Sequence, residues 1–230
     1  MPKINEVAHQ LLKPQKPVLL LDTCAILDII RMPNRLRASE LNAVIKIANQ
    51  TQANLCSVVA ASIVPDEFAS LVQDTESELK KFLDELQNSV DNFNIACQSV
   101  GLDIETDYSF DQSTLPTTLR KLAESLLNDS LILTAQDNLK LQALDRVVFQ
   151  VAPARKGGQI KDCILIEEYL ELAQQLYSGG FTYPLVFISS NTKDFCMDNK
   201  QLHPDLVKDF TPVNLHYCKV WNHAAHLLAL

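Results

Sequence analysis

Apolar residues in this chain alternate between an unbroken-run pattern and a three-to-four-residue period. Pro17 opens the run Val18-Leu19-Leu20-Leu21, which stops on Asp22 and resumes with helical spacing through about Ile30. A short apolar run predicts a strand buried on both faces, and the period that follows predicts a helix. An aspartate therefore marks the handover from strand to helix, and sites in open α/β sheets form at the carboxyl ends of strands. After a basic, Pro-containing turn (Arg31, Pro33, Arg35, Arg37), Leu41, Val44, Ile45 and Ala48 predict a second helix, and Leu55 to Ala60 a second strand. Pro65-Asp66-Glu67-Phe68 reads as a helix start reaching Leu71 and Val72, because Pro is tolerated in a first turn and acids favour the positive end of the helix dipole. Leu79, Phe82, Leu83, Leu86 and Val90 predict another helix over 76–91.

From about 92 to 118 the pattern weakens, and Gly101, Ser109 and Pro116 read as an irregular connection with room for a short helix. Leu119, Leu122, Ala123, Leu126 and Leu127 restart the helical period, and Leu139 to Val148 extend it on a further helix ending by Val151. The middle third thus reads as nearly all helix. A basic, glycine-containing loop from Pro153 to Lys161 feeds an amphipathic helix over Asp162 to Tyr177. Tyr183 to Ser190 is the clearest buried strand, and Val213 to Cys218 a late strand that adds an edge. Strand–helix alternation at both ends predicts an α/β domain with a largely parallel sheet covered by helices. Residues 1–16 read as an N-terminal extension and 17–230 as one domain, with about 76–150 a helical elaboration within it.

Composition narrows this picture. With 230 residues and 47% apolar content the chain can bury a full core. The first residues lack the basic start and apolar middle of a signal peptide, and no apolar run reaches roughly 18 residues. A soluble cytoplasmic protein with no membrane partner is expected. Cysteines at 24, 56, 97, 163, 196 and 218 form no C-x-x-C pair and read as reduced core thiols. His223 and His226 read as packing or surface histidines beside an apolar C-terminus. The formal charge of -8 argues against an extended basic surface that grips nucleic acid by counterion release. A small acidic centre for a divalent ion is compatible with it.

Asp22, Glu67 and Asp162 all fall at element boundaries, and the polar cluster Ser189-Ser190-Asn191-Thr192-Lys193-Asp194-Phe195 follows the buried strand. In order, Leu20-Leu21-Asp22-Thr23, Val64-Pro65-Asp66-Glu67-Phe68, Lys161-Asp162-Cys163-Ile164 and Ile188-Ser189 to Asp194-Phe195 resemble the motifs of the PIN domain, a family of metal-dependent nucleases. The resemblance spans most of the chain. It implies a three-layer α/β/α fold with four or five parallel strands, and carboxylates clustered around one or two Mg²⁺ or Mn²⁺ ions. On it, Asp22, Glu67, Asp162 and Asp194 are the catalytic, metal-holding set, assisted by Asn191, Thr23 and Ser190. The last motif also aligns with Asn191 in the fourth acidic position. Asn191 brings a neutral oxygen and Asp194 a charge, and Asp194 is preferred for metal chemistry with Asn191 as its neighbour. The gap from Glu67 to Asp162 is longer than a compact family member needs.

Hard cations prefer oxygen ligands, which explains why carboxylates suit this chemistry without a histidine partner. Arg155, Lys156 and Lys161 suit the substrate backbone, with Gly157 and Gly158 permitting close approach. The function expected is a metal-dependent endoribonuclease of toxin or RNA-processing type, with RNA favoured over DNA by resemblance alone. Many small family members are toxins, so an antitoxin or a homo-oligomer enters as a partner. Each residue also has a plainer role: Asp162 as a helix cap, Glu67 as a surface acid near a dipole, the basic loop as a solvated surface. A non-catalytic PIN-like interaction module is the first rival. A haloacid-dehalogenase-like phosphatase also begins with a strand ending in Asp, but its second Asp is Cys24 here.

Overall fold

The computed structural model describes residues 3–35, 37–102, 109, 114–198 and 200–230. Val18–Leu21 (β1) is buried at every position, as are Ser57–Ala60 (β2) and Leu185–Ile188 (β4). Such four-residue apolar runs can satisfy their backbone groups only inside a sheet covered on both faces. Leu131–Ile132 (β3) and Leu215–Cys218 (β7) complete a parallel sheet in the order β3-β2-β1-β4-β7. Because the chain winds outward from β1 to β3 and then returns to β4 on the other side, the order reverses between β1 and β4. Ligand crevices in open α/β sheets form at that reversal, outside the carboxyl ends of the strands.

Helices cover the sheet as an α/β/α sandwich. Ile4–Leu12 (α1) and Asp137–Val148 (α6) pack on Ile160–Ser178 (α7). Thr23–Arg31 (α2) packs on Val64–Ser99 (α4) and Thr114–Asn128 (α5), and Leu41–Gln52 (α3) on Trp221–Leu227 (α10). Thr192–Phe195 (α8), the short antiparallel pair Cys196–Met197 (β5) and Gln201–Leu202 (β6), and Pro204–Phe210 (α9) link β4 to β7. The ring of Phe187 on β4 lies 5.5 Å from Tyr169, 5.4 Å from Phe195, 6.2 Å from Phe210 and 5.8 Å from Tyr217, so one strand anchors four elements.

Several expectations change. The helices expected to begin at Pro65 and to cover 76–91 are one 36-residue helix, α4, which continues through residues 92–99. Polar residues at the join are satisfied within the fold: Thr75 donates to the Leu71 carbonyl at 2.9 Å, and Glu76 pairs with Lys80 and Arg120. Residues 114–118, expected as connection, open α5. Of that connection, residues 103–108 and 110–113 lie outside the described residues. A strand, β3, sits in the stretch expected to be nearly all helix, and two residues are too few to show a period. Residues expected as an N-terminal extension carry α1, whose Ile4, Val7, Ala8 and Leu11 enter the same core as β1. The cysteines are free; Cys24 is partly exposed and the other five are buried. Among the described residues no helix is long and apolar enough to cross a membrane.

Candidate functional site

Asp22 closes β1 and opens α2. Its amide donates to the Ile188 carbonyl at 3.1 Å, continuing the sheet, and its carbonyl accepts from Ala25 and Ile26 at 3.1 and 3.2 Å, starting the helix. An aspartate at such a position usually caps the helix with its side chain. This one makes no capping bond. Its buried carboxylate instead accepts hydrogen bonds from the Ser189 hydroxyl, at the end of β4, and from the Cys24 thiol at 2.8 Å. Asp22 and Ser189 thus meet across the strand-order reversal.

Glu67 arrives from the first turns of α4, where its Oε2 accepts from Thr23 Oγ1 at 2.8 Å and its Oε1 lies 3.7 Å from Lys161 Nζ. Asp162 arrives from α7. That helix begins at Ile160 with Gln159 as its cap residue, so Asp162 lies inside the first turn and is not the cap. Asn191 at the head of α8 donates through Nδ2 to Asp162 Oδ2 at 3.3 Å and to Asp194 Oδ2 at 3.0 Å. Asp22, Glu67, Asp162 and Asn191 line one cleft of about 170 Å³ between α2, α4 and α7. Asp194 is tied to it through Asn191, and through Gln159 Nε2 at 3.4 Å.

The acids affect one another. Burial raises the Asp162 carboxyl to about 7, with the charges of Asp22, Asp194 and Glu67 adding to the rise and Lys161 opposing it. Burial also raises Asp22; hydrogen bonds from Cys24 and Ser189 pull it back, and Glu67 pushes it up again. The Cys24 thiol is driven well above its ordinary value by burial and by the adjacent Asp22 charge, so it stays protonated and donates to that carboxylate. Among the described residues no group of three or more His, Cys, Asp or Glu stands placed to hold a metal ion. The carboxylates share a cleft, but donors from Thr23, Ser189, Cys24 and Asn191 hold them in this arrangement.

The expected auxiliary residues separate. Thr23 is buried against Glu67, while Ser190 reaches the Cys24 thiol. Of the expected substrate-holding cations, Lys161 stands at Glu67, but Arg155 is bound to Asp205 at 3.0 Å and Lys156 to the Lys193 carbonyl at 3.3 Å. Sequence reasoning did not single out Ser189, Cys24, Gln159 or Arg31 for the site. Cys24 and Arg31 line the cleft. For Arg31 a signal existed: Thr23, Leu27 and Arg31 recur at four-residue steps and share one flank of α2.

A family model described as the PIN domain matches residues 19–195, from β1 through α8, and takes in Asp22, Glu67, Asp162, Asn191 and Asp194. No curated protein and no solved structure matches the chain. With more than half of its length matched, and with a five-stranded parallel sheet presenting acids at the reversal of strand order, the chain belongs to the PIN-domain family, a fold of nuclease type.

Proposed function

We propose that this protein is a Mg²⁺- or Mn²⁺-dependent endoribonuclease whose centre is formed by Asp22, Glu67 and Asp162, with Asp194 and Asn191 behind Asp162. The observation that carries the reading is the meeting of acids from the end of β1, α4 and α7 in one cleft, where Asp162 is raised to about 7 first by burial and then by the charge of the others. Mutual repulsion of this kind costs stability unless a cation offsets it. The donors are carboxylate oxygens and one carboxamide, the chemistry that hard divalent ions accept.

When bound, such an ion supplies activation of a water and Lewis-acid stabilisation of the charge that develops on the phosphate oxygens. The protein's own residues do the rest. Thr23 orients Glu67, Ser189 and Cys24 orient Asp22, and Asn191 sets the distance between Asp162 and Asp194. Lys161 stands beside Glu67 to meet a substrate phosphate, and RNA is chosen over DNA on family grounds.

The test is incubation of purified protein with mixed single-stranded RNA and DNA in Mn²⁺ or in EDTA. Cleavage of RNA that requires metal and disappears in Asp22→Asn and Asp162→Asn is the expected result. Cleavage that survives both substitutions, or proceeds in EDTA, rejects the mechanism. A well-folded wild type that cleaves neither polymer favours the interaction-module reading.

A further inference from the structure

We propose that Arg31, held by Glu78, forms a phosphate subsite at the far end of the cleft, and that a nucleic-acid strand occupies it by displacing the Glu78 carboxylate. The inference rests on the nuclease reading above. Arg31 is the one cation among the described residues that line the cleft. It contacts Glu78 only through Nε, at 3.0 Å, and its Nη1 and Nη2 have no hydrogen-bond partner among the described residues. A planar guanidinium with both terminal nitrogens free is suited to two phosphate oxygens at once. Its neighbours differ: Arg35 and Arg37 are bound to the buried Asp28, and Arg37 also to Glu40. Glu78 is half exposed, with 52% of its side chain accessible against 19% for Arg31, so the carboxylate is the mobile partner and can turn into solvent when a phosphate takes its place.

Position along the helix says which phosphate. Arg31 lies eight residues beyond Thr23 on α2, about 12 Å along the axis at the usual rise. It therefore reaches a neighbouring phosphate of the strand and not the scissile one at the acids. Between the two ends the cleft is floored by Leu27 and by Leu71, which is 40% exposed on α4. Acids, then an apolar step, then a cation match the order scissile phosphate, sugar or base, next phosphate in a single strand. Glu67, Leu71 and Glu78 fall on the same side of α4, so the wall that carries the acid also carries the carboxylate that occupies Arg31.

The two partners should act in opposite directions. With a 5′-fluorescein, mixed-sequence single-stranded RNA and EDTA present, anisotropy should show Arg31→Gln weakening binding roughly tenfold and lowering the slope of log affinity against log salt by about 0.7. Glu78→Gln, which frees the guanidinium, should tighten binding a few-fold. In Mn²⁺ the Arg31→Gln loss should fall on KM rather than kcat, and Arg31→Lys should keep most of the salt slope. If both substitutions weaken binding, or neither shifts it while both lower Tm alike, the pair is a brace between α2 and α4 and the inference is overturned. A wild type whose Mn²⁺-dependent cleavage is lost in Asp22→Asn, but whose binding ignores Arg31, overturns this inference alone. A wild type that neither binds nor cleaves overturns the reading of the site and this inference with it.

Discussion

Asp162 and Asp22 were both recognisable as acids at element boundaries, yet their surroundings give them testably different behaviour. Asp162 is raised to about 7, so the folded state holds its proton more tightly than the unfolded chain does. The sign follows from linkage: its contribution to stability is full below about 4, declines as pH rises toward about 7, and is gone above. Tm of the protein in EDTA should therefore fall across that window, whereas Asp162→Asn should show a flatter profile and melt above wild type at pH 8. The single Trp221, 1% exposed, is a convenient fluorescent reporter of unfolding. Asn191 offers a second prediction, since its amide donates to Asp162 and to Asp194. Asn191→Asp should lower Tm in EDTA above pH 7 and enlarge the stabilisation produced by Mn²⁺, read as the Tm difference between the two conditions. The sequence left Asn191 and Asp194 as alternatives for one position. In the fold they are successive in space, Asn191 on the cleft wall and Asp194 behind it, and one-dimensional order cannot show depth.

At the scale of elements, α7 does more than present Asp162. Its Tyr169 hydroxyl donates to the Leu21 carbonyl, one residue before Asp22, and accepts from the Ala61 amide at 2.9 Å. Glu168, fully buried, accepts from the Ser62 amide at 2.7 Å and the Ser62 hydroxyl at 2.6 Å, just before α4 begins. One helix thus clamps the end of β1 and the approach to α4, which carry the other two acids. Tyr169→Phe keeps the ring contact with Phe187 but strands the Leu21 carbonyl and the Ala61 amide, which should cost about 1–3 kcal/mol in urea unfolding. Cleavage should fall with it, because the ends of β1 and β2 are no longer held together. The helical period of α7 was plain in the sequence. That residues 168 and 169 face two strand ends was not, because hydrogen bonds to backbone groups over a hundred residues away leave no local pattern. The length of α4 was hidden for a related reason: Glu76 is a polar residue turned inward, tolerable because Lys80 on the same helix meets it at 2.7 Å and Arg120 of α5 at 3.0 Å.

Across the whole molecule, the folded body exceeds the stretch matched by the family. The match ends at Phe195, yet β7 forms the sheet edge beside β4, and Trp221 on α10 donates through its indole nitrogen to the Ala25 carbonyl of α2 at 3.3 Å. At the other end, α1 buries Ile4, Val7 and Leu11 against α7. At about 1.5–3 kcal/mol for each fully buried aliphatic side chain, removal of residues 1–16 should cost on the order of 5 kcal/mol, comparable to the total stability of an ordinary domain. The truncated protein should unfold at markedly lower urea, or fail to accumulate in soluble form. The α/β class, the strands β1, β2 and β4, much of the helical frame and the placing of Asp22, Glu67 and Asp162 at element boundaries follow from the sequence itself, because apolar periodicity and helix-start chemistry are local. Only the tertiary structure decided that α1 and the C-terminal elements complete the same core, that Ser189 and Cys24 hold Asp22, and that Arg31 rather than Arg155 faces the cleft. Those outcomes depend on which distant elements the strand-order reversal between β1 and β4 brings together, and contacts across that reversal have no period along the chain.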